Sequence, residues 1–320
     1  MASPQSPKPF SCPGTLHFVP PNLSVFEPTK PLTPDAKINT ILWIGGMSDT
    51  PLAVAYPLSI ARALDPTWSL TTASLASTAM GWGACTVARD ADDMARLVAY
   101  VRELRPGGRI VLMGHSTGCQ DCMEYLTGRH AGDRPPVDGV ILQAPVSDRQ
   151  ALTDMLPQAI MEEANALALK MCGEGKDADF MPARLTSPAF EQVGVTARRW
   201  VDVASPGPAH NGADDFFSSD LADDRLEASF GRLPRTSPLL VLFSGADAYV
   251  PASVDKRALV KRWTDVVERH GGVVDSVHGG VVPDASHNLN GQAEPIVRDL
   301  VDRVAGFVER LGKGELRRKD

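Results

Sequence analysis

Five residues of this chain, Gly114-His115-Ser116-Thr117-Gly118, have the types and spacing for nucleophilic chemistry. They follow an apolar run, Arg109-Ile110-Val111-Leu112-Met113, and open a helix-compatible stretch from Cys119 to Thr127. Gly-x-Ser-x-Gly between a strand and a helix is the setting of a nucleophile elbow. There the chain turns so sharply that the serine is held in a strained conformation with its hydroxyl exposed. Residues two places before and after it crowd the neighbouring backbone, so only very small side chains fit. Gly114 and Gly118 meet that demand, and Ser116 is the candidate nucleophile. The alternative, a tight turn made by two glycines, leaves the strand before and the helix after without a purpose.

A serine hydroxyl needs a base to take its proton, and the base needs a carboxylate to fix its tautomer and stabilise its cationic form. On sheets of this kind the three arrive in the order Ser, Asp or Glu, His. The apolar run Leu239 to Phe243 ends in Ser244-Gly245-Ala246-Asp247, which puts Asp247 at the carboxyl end of a strand. Asp148, Asp275 and Asp284 are its rivals. His287, in Pro283-Asp284-Ala285-Ser286-His287-Asn288-Leu289, falls in the loop between the last strand and the last helix, where the base belongs. His278 is its competitor, while His17 and His130 read as structural or exposed. With His287 as base, activity should rise with pH as the imidazole loses its proton.

Acyl chemistry also needs two N–H groups aimed at the developing oxyanion. The amide of Thr117, directly after the nucleophile, is one candidate. The other belongs to the loop after the Ile38–Ile44 strand, where Gly45-Gly46 lets the backbone come close; Met47 is the first choice there and Gly46 the second. The candidate pocket residues are His115, the variable residue of the elbow, with Trp200, His210, Phe216 and Phe217, although buried aromatic packing accounts equally well for the last two and Trp200. The acidic run from Asp214-Asp215 to Asp223-Asp224 reads as solvated surface, with a face toward a basic substrate as the alternative. Cys119-Gln120-Asp121-Cys122 has C-x-x-C spacing, but the serine already occupies the elbow and helix positions i and i+3 pack against the sheet. No His/Cys spacing suggests a metal, and the chemistry needs no cofactor.

The elements that must position these groups alternate between strand and helix, as in a mostly parallel sheet covered on both faces. Residues 1–13 read as a loose arm, 14–19 and 23–27 as an edge hairpin, and Ile38–Ile44 as a buried strand. A helix near 53–64 and a strand near 68–75 follow. Asp90 to Leu104 is amphipathic, with Met94, Leu97, Val98, Val101 and Leu104 on one stripe. Val137–Gln143, Leu239–Phe243 and Val273–Val277 read as later strands, Val254–His270 and Gln292–Leu311 as later helices, and Lys313–Asp320 as a frayed tail. Between them the alternation stops. Residues 149–236 carry helix-like patterns but no convincing strand, and so read as a cap inserted between core segments 1–148 and 237–320.

Composition agrees with one large α/β domain carrying an insertion. The chain has 320 residues and 43% hydrophobic residues, enough for a substantial core. Its net charge of −7 disfavours a nucleic-acid partner. There is no run of 18 apolar residues and no apolar h-region near the start, so neither a membrane span nor a secretory signal is expected. Five cysteines without a disulfide framework suit a reducing cytosol. Oligomeric state is not legible.

The longer string Met113-Gly114-His115-Ser116-Thr117-Gly118-Cys119-Gln120-Asp121, with Trp43-Ile44-Gly45-Gly46 upstream and Phe216-Phe217-Ser218-Ser219-Asp220-Leu221 in the cap, resembles the fungal siderophore-esterase group of the α/β-hydrolase superfamily. The likeness runs through nearly the whole chain. It implies an intracellular serine hydrolase that opens ester bonds of fusarinine-type hydroxamate siderophores, with Ser116, Asp247 and His287 as its triad and a small-molecule ester as its partner. An acyltransferase or lactonase on the same triad and a non-catalytic ligand-binding relative remain as alternatives. Epoxide hydrolase and dehalogenase readings need a carboxylate at the elbow, where this chain has serine.

Overall fold

The computed structural model describes residues 11–317. Eight strands form one sheet in the order β1-β2-β4-β3-β5-β6-β7-β8. The first two, β1 (Gly14–Val19) and β2 (Leu23–Pro28), are the expected edge hairpin. Next come β3 (Asn39–Ile44), α1 (Tyr56–Ala63), β4 (Trp68–Ser74), α2 (Val87–Leu104), β5 (Ile110–His115), α3 (Thr117–Thr127) and β6 (Gly139–Gln143). The inserted segment holds α4 (Asp148–Met155), α5 (Gln158–Gly173), α6 (Ala183–Phe190), α7 (Ala197–Ala204) and α8 (Asp223–Ser229). The chain then completes the sheet with β7 (Leu239–Ser244), α9 (Lys256–Arg269), β8 (Gly280–Val282) and α10 (Glu294–Lys313). From β4 to β8 every pairing is parallel. Crossover helices therefore cover both faces, and the central strands β5, β6 and β7 are apolar up to a polar residue at the carboxyl end of each, His115, Gln143 and Ser244.

The two faces have separate cores. α2, α3 and α9 cover one face through Met94, Leu97, Val98, Cys122, Met123 and Trp263. α1 and α10 cover the other, where Leu300, Val304, Phe307 and Leu311 make a stripe of 3.6-residue period against β3, β5 and β7. Each such side chain contributes ~1.5–3 kcal/mol when fully buried. The cap has a third cluster around Leu152, Leu185, Val195 and Trp200. Its last part does not join that cluster, since Phe217, Leu221, Leu226 and Phe230 pack into the α2/α3/α9 core. No helix among the described residues is long and apolar enough to cross a membrane.

Several boundaries differ from the sequence reading for identifiable reasons. α2 begins at Val87 because the Thr86 hydroxyl accepts from the Arg89 amide and caps it; Asp90 lies buried within its first turn. Leu104, read as part of the buried stripe, is exposed at the helix end. The helix pattern from Arg149 to Met171 is two helices, divided at Leu156-Pro157. The strand expected over Val273–Val277 is a correction. Val274 makes a single bridge to Leu239, and the Asp275 carboxylate then accepts from the Val277 and His278 amides and turns the chain. Pairing with β7 resumes only at Gly280. In the tail, Lys313 is still helical and Leu316 is buried. Of the expected N-terminal arm, residues 1–10 lie outside the described residues, as do 318–320 of the tail.

Candidate active site

At the end of β5 the chain reverses at Ser116, whose backbone stands at φ +52°, ψ −124°. That left-handed conformation is costly for a residue with a side chain and is held only where the surroundings over-determine it. Here the two glycines make it affordable in space. A Cβ on Gly114 would lie 2.3 Å from the Gly118 carbonyl oxygen, and one on Gly118 would lie 2.3 Å from that of Ile44. Gly118→Ala is accordingly expected to destabilise the fold by ~2–3 kcal/mol, read as a lower urea midpoint. A midpoint equal to that of the unaltered protein would mean that α3 and β3 separate freely.

Ser116, His287 and Asp247 meet at the carboxyl ends of β5 and β7 and in the loop after β8. His287 Nε2 lies 2.8 Å from Ser116 Oγ, and His287 Nδ1 lies 2.7 Å from Asp247 Oδ2. In this arrangement Nδ1–H donates to the carboxylate and Nε2 accepts from the serine hydroxyl. The other Asp247 oxygen accepts from the Tyr249 amide at 3.0 Å, which fixes the buried carboxylate in place. The Tyr249 ring stands edge-on to the imidazole, 4.7 Å between centroids. Among the described residues none of the other candidates hydrogen-bonds the His287 ring. Asp275 binds the His278 ring at 2.9 Å and Arg310 of α10, so both His278 and Asp275 serve the packing of the last helix. Asp148 receives Gln120 Nε2 at 2.8 Å and takes no part in the contacts of His287.

Two amides face this group without a hydrogen-bond partner among the described residues, those of Met47 and Thr117. The Gly46 amide, the second choice for that role, is engaged: it donates to Asp49 Oδ2 at 2.8 Å. Asp49 escaped the sequence reading, as did the polar layer beneath the site. Gln143, at the end of the otherwise apolar β6, was the visible signal for that layer. Its Oε1 accepts from Tyr56 Oη at 3.0 Å and binds His115 Nδ1 at 2.5 Å, while its Nε2 donates to the His287 carbonyl at 3.3 Å. Burial, followed by the nearby His287 charge, lowers the His115 pKa to about 3, against the pull of its bond to Gln143. His115 is therefore neutral at working pH and does not repel an imidazolium 5.0 Å away. Burial also raises the Asp49 carboxyl, opposed by the Gly46 amide and by His287.

A cavity of about 670 Å³ opens onto Ser116. Its wall includes Met47, Trp82, His115, Leu152, Phe190 and Tyr249, with Asp148 at one side. Of the five candidate pocket residues only His115 belongs to it. Trp200 is fully buried in the cap core, where its indole N–H donates to Asn165 at 2.9 Å. Phe217 is buried against Phe230 and Trp263, Phe216 packs beside it, and His210 turns back on the Ser205 carbonyl. These four fill cores and turns because each has a nearer apolar or polar partner than the cavity. The acidic run is corrected in its first part only: Asp214 and Asp215 are buried and ion-paired to Arg199 and Arg149, while Asp220, Asp223 and Asp224 are exposed as expected, the first two pairing with Arg149 and Arg262 at the surface. Cys119 and Cys122 are buried free thiols whose pKa burial pushes upward, so the C-x-x-C pair is packing.

A parallel sheet with a strained serine between β5 and α3, and a histidine and a carboxylate delivered from the last strands, is the α/β-hydrolase fold. Solved structures agree: a siderophore hydrolase, EstB from Aspergillus fumigatus, is 35% identical with a TM-score of 0.80, covering 95% of this chain and 98% of that one. The chain belongs to the family described as "Protein of unknown function (DUF1749)", which matches residues 1–309. It is 35% identical to the fusarinine C esterase sidJ of Aspergillus fumigatus, over 94% of this chain and 97% of that protein. Esterase AN6793 of Emericella nidulans is also 35% identical, over 95% and 94% of the two chains.

Proposed function

We propose that this protein is a serine esterase that hydrolyses the ester bonds of a fusarinine-type hydroxamate siderophore. The observation that carries the reading is the hydrogen-bonded series Ser116–His287–Asp247, with two unpartnered amides beside it, at the floor of a cavity large enough for a small-molecule ester. The 35% identity to a fusarinine C esterase and to a siderophore hydrolase supports the substrate class. His287 Nε2 takes the Ser116 proton as Oγ attacks the ester carbonyl. The Thr117 and Met47 amides hold the oxyanion, and Asp247 stabilises the imidazolium. The imidazolium then protonates the leaving alkoxide. Water, deprotonated by the same imidazole, releases the acid from Ser116. Every proton moves between Oγ, Nε2, alkoxide and water, and the two backbone amides carry the transient negative charge. Free thiols at all five cysteines suit a reducing compartment, and we place the protein in the cytoplasm.

The test is turnover of fusarinine C in ¹⁸O-labelled water, followed by mass spectrometry. One heavy oxygen in each newly released carboxyl group is expected. Turnover of simple esters without opening of the siderophore would leave the triad standing and overturn the substrate. Products esterified by added alcohol in place of water would favour the acyltransferase reading.

A further inference from the structure

Behind the two oxyanion amides lies a second, much smaller cavity with about 20 Å³ of space for water. It is lined from above by the loop Gly45–Met47 and Asp49, and from below by Asp90 of α2 and by Thr117 and Asp121 of α3. From the side come Trp82 and Arg199 of cap helix α7. Four of these side chains are more than nine-tenths buried, Asp90, Thr117, Asp121 and Arg199. Each has a polar atom with no hydrogen-bond partner in the protein among the described residues: Asp90 Oδ1, Thr117 Oγ1, Asp121 Oδ1 and Arg199 Nε. A buried polar atom left unsatisfied costs ~1–3 kcal/mol, and four around one cavity would be a severe burden on a folded chain. A water molecule needs ~10–15 Å³ of such space and two to four polar partners; the cavity has the space, and four residues of its lining carry an unpartnered buried polar atom.

We propose that this cavity binds ordered water that joins the Thr117 hydroxyl and the Asp90 and Asp121 carboxylates to the Arg199 guanidinium, so that the cap holds the oxyanion amides in place. The inference rests on the esterase reading, because only there does the position of the Thr117 amide bear on a rate. The arrangement has one fixed end in the cap. Arg199 Nη1 lies 2.8 and 2.7 Å from the two Asp214 oxygens, and its guanidinium lies 6.0 Å from the centre of the Trp82 ring. Trp82 Nε1 in turn donates to Ser48 Oγ at 3.0 Å, in the loop that carries Met47. Thr117 is the first residue of α3 and lines both cavities, and its hydroxyl is buried without a hydrogen-bond partner among the described residues. The bridge thus spans from α7 to both donor-bearing segments. Thr117 is in this respect a positioning residue through its side chain as well as a donor through its backbone.

Two measurements test this. A crystal structure of the full protein at about 1.5 Å should show water within hydrogen-bond distance of Thr117 Oγ1, Asp121 Oδ1 and Arg199 Nε; a dry cavity, or water touching only one of them, overturns the proposal. Kinetics of Thr117→Val and Thr117→Ser form the second. Valine keeps the shape and the amide but loses the hydroxyl, so kcat should fall roughly 10- to 100-fold with KM within about twofold, as for a small misplacement of catalytic groups. Serine keeps the hydroxyl and should return kcat to within about threefold of the unaltered protein. An unimpaired valine variant, or two variants impaired alike, overturns the positioning role. A wild-type protein with no turnover of any ester would instead overturn the esterase reading, and the crystal structure would still decide the water.

Discussion

Replacing Ser116 by alanine is expected to lower ester hydrolysis by about 10⁴- to 10⁶-fold while leaving the fold intact. The side chain's one hydrogen bond is to His287 Nε2, and its backbone strain is borne by the surrounding β5 and α3, so little stability depends on the hydroxyl. Two readouts give the answer together: steady-state hydrolysis of a chromogenic ester, and covalent labelling by a fluorophosphonate probe, which reports an activated serine directly. Both should vanish in the variant. Labelling that persists in Ser116→Ala would place the reactive group elsewhere, and an unlabelled but folded wild-type protein would move the non-catalytic binding alternative ahead.

The second large effect concerns stability. Arg199 is buried, ion-paired to Asp214 of the loop after α7, and also feels the charges of Asp148 at the start of α4, Asp90 of α2 and Asp121 of α3, of which Asp148 is half-buried and the other two are buried. Burial first raises Asp90 to about 6, Asp148 to about 7 and Asp214 to about 6; neighbouring acids add to this, Asp93 and Asp214 for Asp90, Asp214 and Asp215 for Asp148, and Asp202 and Asp215 for Asp214, while Arg199 pulls each down. Removing the cation as Arg199→Met leaves those charges buried without compensation, which costs about 3–5 kcal/mol. The sign of the pH dependence follows from the direction of the shifts. Groups whose carboxyls titrate higher when folded bind more protons in the folded state, so their contribution to stability declines as pH rises from about 4 to about 7. Without Arg199 the carboxyls move higher still. The deficit of the variant, measured by urea unfolding, should therefore be largest near pH 8 and shrink toward pH 5. A deficit independent of pH would show that the loss is one of packing alone.

Ser116, His287 and Asp247, which we propose as nucleophile, base and acid, could be picked out in the amino-acid order because each is tied to a local event: an elbow between two glycines, a loop before the last helix, a strand end before a turn. The sheet was legible for a similar reason, since strands buried on both faces read as nearly continuous apolar runs. What escaped depends on partners distant in the chain. Asp215 meets Arg149 from 66 positions away, and no local pattern marks it as buried. Trp200 and Phe217 have the composition of pocket walls and of cores alike; only their neighbours Asn165, Phe230 and Trp263 decide which. The Val273–Val277 segment has strand-like residues, and its fate turned on one carboxylate, that of Asp275, bending the chain. Gln143 is the instructive case between the two. A lone amide closing an apolar strand is visible in the letters, but its four contacts, Tyr56, His115, Ser244 and His287, lie on four different segments.

The cap leaves and re-enters the body at nearly one spot. Ser147 and Ser218 touch at 2.5 Å, Gln150 and Ser219 exchange two hydrogen bonds, and Arg149 grips Asp215 and Asp220. An insertion stitched shut at its base in this way is a fixed wall, and the exposed side chains of Met80, Met155 and Tyr249 around the cavity frame a doorway that stands open. The three apolar side chains at that doorway are then the first surface that an entering ester meets.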